Sequence, residues 1–233
     1  MIRIHNAVIV NEGKQFAGSV VIDNGIIREV LEEGKQPSQP CDEEVDAKGC
    51  YLIPGVIDDH VHFRDPGLTH KADMASETAA AAAGGVTSFM DMPNCNPQTT
   101  TLEALNAKFE NAATKCVVNY SFYFGATNNN VHVLKELDKT RVCGVKLFMG
   151  ASTGNMLVDR MEALRKIFSE AGMLIATHCE DQNTIRENTE RFRQECGEDP
   201  DITCHPLIRS EEACYRSSAL AVQLAKETNA RLH

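Results

Sequence analysis

The sequence predicts an α/β protein built as a (β/α)8 TIM-type barrel, incomplete here at about five to six strands. Three observations lead there. Apolar strands alternate with amphipathic helices from residue 52 onward, which implies a parallel sheet covered by helices. No Gly-x-Gly-x-x-Gly follows a strand and no Walker-type loop is present, which removes the usual signs of an open nucleotide-binding sheet. Candidate polar residues fall in or just after strands, and a barrel keeps its chemistry at strand C-termini. His60, His62, Asn94, Lys146 and His178 are those residues.

In order, residues 1–51 read as short β-strands and form a first, smaller part. Apolar runs occur at Ile2, Ile4, Val8 to Val10, Val20 to Ile22, and Ile26, Ile27 and Val30. Asp23-Asn24-Gly25 between two of them is a hairpin signal. This part is too small to be stable alone and is expected to pack with strands from elsewhere.

Residues 52–233 carry the barrel pattern. Pro54-Gly55 turns the chain into the strand Val56-Ile57-Asp58-Asp59-His60-Val61-His62-Phe63-Arg64. An Ala-rich helix from Asp73 to Ala83 stops at Gly84-Gly85. Strands follow at Val86 to Met92, Cys116 to Phe124, Val142 to Met149 and Met173 to His178. Between them, Leu102, Leu105, Phe109 and Ala112, and then Val158, Met161, Leu164, Phe168 and Ala171, recur at helical spacing. Val131 to Leu137 reads as a short helix. Asp181 to Cys196 and Arg209 to Glu227 read as longer ones, and Arg231-Leu232-His233 as the start of a sixth strand.

Composition narrows the function. A formal net charge of −10 argues against nucleic acid as a partner. There is no apolar run long enough to span a bilayer, and Met1-Ile2-Arg3-Ile4-His5 does not begin like a secretory signal. Nine cysteines without regular spacing suit a reducing compartment rather than a disulfide framework. The expectation is a cytoplasmic enzyme acting on a small molecule.

The first barrel strand carries the chemistry. Side chains alternate along a strand, so Asp58, His60, His62 and Arg64 are expected on one face. Two imidazoles two residues apart near a strand end can reach one metal ion, and an adjacent carboxylate can orient a ring. His178 is the last inward residue of its strand and reads as a third ligand rather than a hydrogen-bonded core histidine. Lys146 sits in an otherwise apolar strand, where burial lowers a lysine's pKa. A neutral amine there can react with carbon dioxide to form a carbamate that bridges two cations. The plainer alternative is a lysine paired with an acid such as Asp58 or Asp91. Two divalent ions would share a hydroxide formed at neutral pH. Zinc suits the donor set best, with manganese or cobalt as alternatives. Arg64 and Asn94 are placed to hold a substrate carboxylate.

The stretch from Val56 through His60-Val61-His62-Phe63-Arg64-Asp65-Pro66-Gly67 to Lys71 closely resembles the signature of dihydroorotases, in the cyclic amidohydrolase branch of the amidohydrolase superfamily. Gly84-Gly85-Val86-Thr87 and Met92-Pro93-Asn94 are similar to the same family. The resemblance implies a distorted barrel with a small β-sandwich domain partly built from the N-terminus. It implies two zinc ions, His60 and His62 on one and His178 on the other, bridged by carboxylated Lys146 and a hydroxide. Some bacterial dihydroorotases bridge with an aspartate instead, and by this resemblance Lys146 suggests the other subgroup. The implied reaction is reversible hydrolysis of dihydroorotate to N-carbamoyl-L-aspartate in pyrimidine synthesis, by a homodimer. Arg64 and Asn94 would hold the carboxylate of that substrate.

Family members continue through strands six to eight, which supply another histidine ligand and an aspartate that moves the proton. That general base is expected beyond His233, so this chain reads as an N-terminal part, inactive alone. The alternatives are a dihydropyrimidinase (hydantoinase), an allantoinase, or a catalytically inactive scaffold. Arg64 discriminates among the enzymes, because a carboxylated substrate needs a cation and a neutral ring does not.

Overall fold

Two tight turns shape the N-terminal sheet. Glu12-Gly13 (φ 49° and 73°) and Asn24-Gly25 (φ 49° and 77°) both lie in the left-handed region, as a type I′ hairpin turn requires. They connect β1 (Ile2–Asn11), β2 (Lys14–Asp23) and β3 (Ile26–Glu32) into an antiparallel meander. Next come β4 (Glu43–Asp46) and β5 (Tyr51–Leu52), which pair in parallel with successive stretches of β1. The sheet order is β3-β2-β1-β4, with β5 also on β1. Its small core is Ala7, Ile9 and Val20, flanked by Phe16, Ile22, Ala47 and Leu52.

The structure is a computed structural model that describes residues 1–150 and 155–233. It divides into two compact units, Met1–Val56 and Ile57–His233.

The larger unit alternates strand and helix. In order it holds β6 (Val56–Val61), α1 (Met74–Ala83), β7 (Val86–Asp91), α2 (Leu102–Lys115), β8 (Asn119–Gly125) and a 3-10 turn at Val131–Glu136. There follow β9 (Gly144–Phe148), α3 (Met161–Glu170), β10 (Ile175–His178), α4 (Gln182–Cys196), α5 (His205–Ile208) and α6 (Glu211–Thr228). The helices start where side chains accept from their free N–H groups: Asp73 on α1, Thr101 on α2, Asp181 on α4 and Ser210 on α6. The strand order, β10-β9-β8-β7-β6, follows the sequence without a reversal. The sheet is therefore a curled, parallel half-barrel. Beside β10, Leu232 bridges Ile175 in parallel, and Thr177 N donates to the His233 carbonyl at 2.9 Å, as expected for the start of a further strand.

The two faces of this sheet differ. Phe89, Phe122, Phe124, Val145, Leu147 and Ile175 join the large core that also takes in Leu105 and Phe109 of α2 and Leu164, Ile167 and Phe168 of α3. The opposite face carries a much smaller apolar group, Met92, Tyr123 and Ala176, which leaves room for polar chemistry. Among the described residues no helix is long and apolar enough to cross a membrane.

Three sequence expectations need correction. The alternation of β6 does not extend to Arg64, whose φ of 63° turns the backbone out of the extended region. Val158 is not helical: its N–H bonds to the Phe148 carbonyl at 2.9 Å, and α3 begins only at Met161. Arg209 is not helical either, because Ser210 caps α6 and ends any continuous helix there.

Candidate metal centre and substrate-binding residues

His60 lies in β6 and is exposed, while His62 follows the strand and is half-buried. Val61 and Phe63 pack on the outer core, so alternation turns both imidazoles to the inner face. The two ring centroids are 5.4 Å apart. The strand end is pinned by neighbouring β7: Met92 N donates to the Val61 carbonyl at 3.0 Å, and Phe63 N donates to Asp91 Oδ1 at 2.9 Å.

Beyond it the chain forms a fastened loop. Leu68 N donates to the Arg64 carbonyl at 3.0 Å. Buried Asp65 accepts from Lys115 Nζ at 2.7 Å, Asn111 Nδ2 at 2.9 Å and Met74 N at 3.3 Å. Gly67 (φ 81°) presses on the loop that carries Asn94: a Cβ there would come within 1.8 Å of the Asn96 carbonyl oxygen. Asn96 N in turn donates to the Pro66 carbonyl at 3.0 Å. These contacts fix Arg64 and Asn94 relative to each other although they lie on different loops.

Burial lowers the pKa of both histidines. For His62 the positive charge of Arg64 adds to the effect and Asn94 opposes it; for His60 the charge of Lys146 adds. Each is thereby biased to the neutral form, the state that binds a metal. His62 Nδ1 and Asn94 Oδ1 are buried side-chain atoms with no hydrogen-bond partner. A buried polar atom without a partner is costly unless something of complementary charge meets it.

Lys146 is 2 % exposed. Burial pushes its ammonium down to about 8, and no carboxylate among the described residues offsets that. Its Nζ lies 5.1 Å from the Phe148 ring centroid. The two acids that sequence reasoning offered as partners are engaged elsewhere. Asp58 Oδ1 accepts from His60 N at 3.2 Å. Asp91 faces α2, where Lys108 Nζ comes within 2.7 Å of its Oδ2 as a charge contact, and both side chains are almost fully buried.

His178 ends β10 and is half-buried. In the β9–β10 register it is paired with Phe148, and Ala176 with Lys146, so His178 and Lys146 share the inner face. Its Nε2 lies 2.8 Å from Glu180 Oε2. Among the described residues no three His, Cys, Asp or Glu side chains gather around one point. The fold thus brings His60 and His62 together, sets Lys146 close enough to act on His60, and aligns His178 with Lys146. Neutral imidazoles, an orphaned ring nitrogen and a buried amine without a counter-ion form a donor set that fits divalent cations.

Sequence reasoning missed four residues. Lys108 falls on the Leu105, Phe109 and Ala112 stripe of α2, and that position was its signal. Tyr123 crosses the inner face of the sheet, its hydroxyl donating to the Asp59 carbonyl at 3.2 Å, and strand alternation marked it. Glu180 and Arg209 are 29 residues apart, and nothing local in the sequence joined them.

Comparison with known proteins agrees with this geometry. Residues 51–207 match the model of the Amidohydrolase family. Two curated relatives align with 99 % of the chain: a dihydroorotase of Methanosarcina mazei at 34 % identity (49 % of its length) and an allantoinase of Deinococcus radiodurans at 31 % (51 % of its length). Among solved structures, the L-hydantoinase (dihydropyrimidinase) of Arthrobacter aurescens superposes with a TM-score of 0.87 at 25 % identity, covering 99 % of this chain and 51 % of that one. The chain spans about half the length of the curated relatives it matches. With the family model matched over most of the larger unit and the parallel half-barrel in place, the chain belongs to the amidohydrolase family.

Proposed function

We propose that this chain is the metal-binding half of a dihydroorotase, an enzyme that reversibly hydrolyses the cyclic amide of dihydroorotate to N-carbamoyl-L-aspartate. His60, His62 and His178 would hold two zinc ions, with carboxylated Lys146 between them. Bound divalent ions supply Lewis acidity toward the ring carbonyl and make water nucleophilic at neutral pH. The chain's own residues do the rest. Burial keeps a fraction of Lys146 as the free amine that reacts with carbon dioxide. Arg64 and Asn94 grip the carboxylate and hold the ring still, so that the amide carbonyl stays in near-attack geometry.

The observation that carries this reading is the cation. Arg64 stands near enough to His62 to depress its pKa, on a loop locked to the one that carries Asn94. A neutral ring substrate gives such a cation nothing to bind. A bidentate charge-assisted pair contributes about 1.5–3 kcal/mol. In the whole protein, Arg64→Met should therefore lower kcat/KM for dihydroorotate by roughly ten- to a hundred-fold. Turnover of dihydrouracil, which lacks the carboxylate, should fall far less; an equal loss on both substrates would sink the assignment.

A second reading, allantoinase, is supported by the Deinococcus radiodurans relative of similar identity. Allantoin carries no carboxylate, so the same Arg64→Met comparison with allantoin as substrate separates the two.

A further inference from the structure

Just past β10, Glu180 takes part in three polar contacts with two side chains. Arg209 Nε donates to its Oε1 at 2.7 Å, Arg209 Nη2 donates to its Oε2, and that second oxygen also meets His178 Nε2 at 2.8 Å. The Glu180 side chain is only 13 % exposed, whereas that of His178 is 43 % exposed. The carboxylate is thus the fixed partner and the ring the one that needs holding.

The backbone around it is equally constrained. Met149 N donates to the His178 carbonyl at 2.9 Å, and Asp181 N to the Ala213 carbonyl of α6 at 2.9 Å. Gly150 lies so close that a Cβ there would sit 2.0 Å from the Glu180 carbonyl oxygen. Arg209 arrives from the short link between α5 and the Ser210 cap of α6. The arginine satisfies the charge of Glu180 with a planar fork, so the carboxylate can accept from a neutral imidazole without needing a second cation. Phe148 stands near the ring, with centroids 6.3 Å apart.

We propose that Glu180, held by Arg209, is a positioning residue for His178: it accepts a hydrogen bond from Nε2–H, which keeps the proton on that nitrogen and leaves the Nδ1 lone pair free for a cation. A carboxylate on the far nitrogen fixes tautomer and ring angle and makes the ligand more basic. This rests on the reading of His178 as a metal ligand, and the test separates the two.

The whole protein, stripped of metal, is titrated with Zn2+ against a chromophoric chelator, and the 15N spectrum of the His178 ring is recorded without metal. Glu180→Ala should weaken Zn2+ binding roughly ten- to a hundred-fold and convert a single Nε2–H tautomer into a mixture. Glu180→Gln, which keeps an acceptor oxygen at the same reach, should hold the tautomer and lose less affinity. Arg209→Lys should fall between wild type and Glu180→Ala on both readouts, and together with Glu180→Gln it carries the test if Glu180→Ala does not fold. Wild-type affinity and an unchanged ring in Glu180→Ala would overturn the proposal. If His178→Ala loses one Zn2+ while Glu180→Ala loses no affinity, the positioning role fails and the metal reading stands. If His178→Ala loses none, the metal reading of this histidine fails and the proposal with it.

Discussion

Lys108 and Lys146 are 1 % and 2 % exposed, and they lie on opposite faces of the same sheet. On the outer face Lys108 meets Asp91 at 2.7 Å and donates to the Met92 carbonyl at 3.0 Å. The Phe122 ring centroid lies 4.8 Å from its Nζ. That amine is sealed into structure and ties α2 to the strand end that pins Phe63. On the inner face Lys146 has no acid among the described residues and its ammonium is pushed down to about 8. Burial is nearly equal, so burial does not separate a paired lysine from one held without a counter-charge. The partner does.

The contrast can be broken from either side. Lys108→Met leaves Asp91 buried without its counter-charge, a change that costs about 3–5 kcal/mol. Chemical denaturation should show that loss; a variant as stable as wild type would mean that the outer pair is ornamental. Lys146→Met should do the opposite in metal-free protein. The shift from 10.5 to about 8 corresponds to a penalty of up to about 3 kcal/mol at pH 7, which the substitution removes. A metal-free Lys146→Met that melts below wild type would contradict the unpaired state of this lysine.

The finest test is the pH dependence of that difference. Below pH 8 both native and unfolded chains hold the Lys146 proton, and the full penalty is present. Between about 8 and 10.5 the native chain has released a proton that the unfolded chain still binds, so wild-type stability gains with rising pH. The advantage of Lys146→Met should shrink across that window. Taking the difference between the two proteins cancels the buried thiols of Cys116 and Cys143, both pushed up to about 11 and so acting in the reverse sense. A constant difference from pH 7 to 10 would place the titration elsewhere.

Much of this was legible in the sequence where the signal is local. The period-two spacing of His60 and His62 survives because β6 is regular as far as Val61. Asn24-Gly25 forms the expected hairpin because two left-handed residues suit few sequences better. The alternation failed at Arg64, where the loop from Arg64 to Lys71 folds back on its own carbonyl and overrides strand geometry. The parallel pairing of β4 and β5 with β1 was hidden for another reason: it joins residues about 40 apart, and no periodicity announces a partner at that distance. The Glu180–Arg209 contact was hidden in the same way. Lys108 was visible on its stripe, but a lysine there reads as a solvated edge until its acid is found across the interface.

The hydroxyl of Tyr123 has a practical use. The chain has no tryptophan and four tyrosines, and this phenol is wholly enclosed and pushed up to about 12 by burial. An unfolded phenol ionises near 10. In mild alkali the native Tyr123 therefore stays dark in the phenolate band and appears there only when the space between β8 and β6 opens. The molecule carries its own optical gauge of the contact between Tyr123 and the Asp59 carbonyl of β6, read without a label.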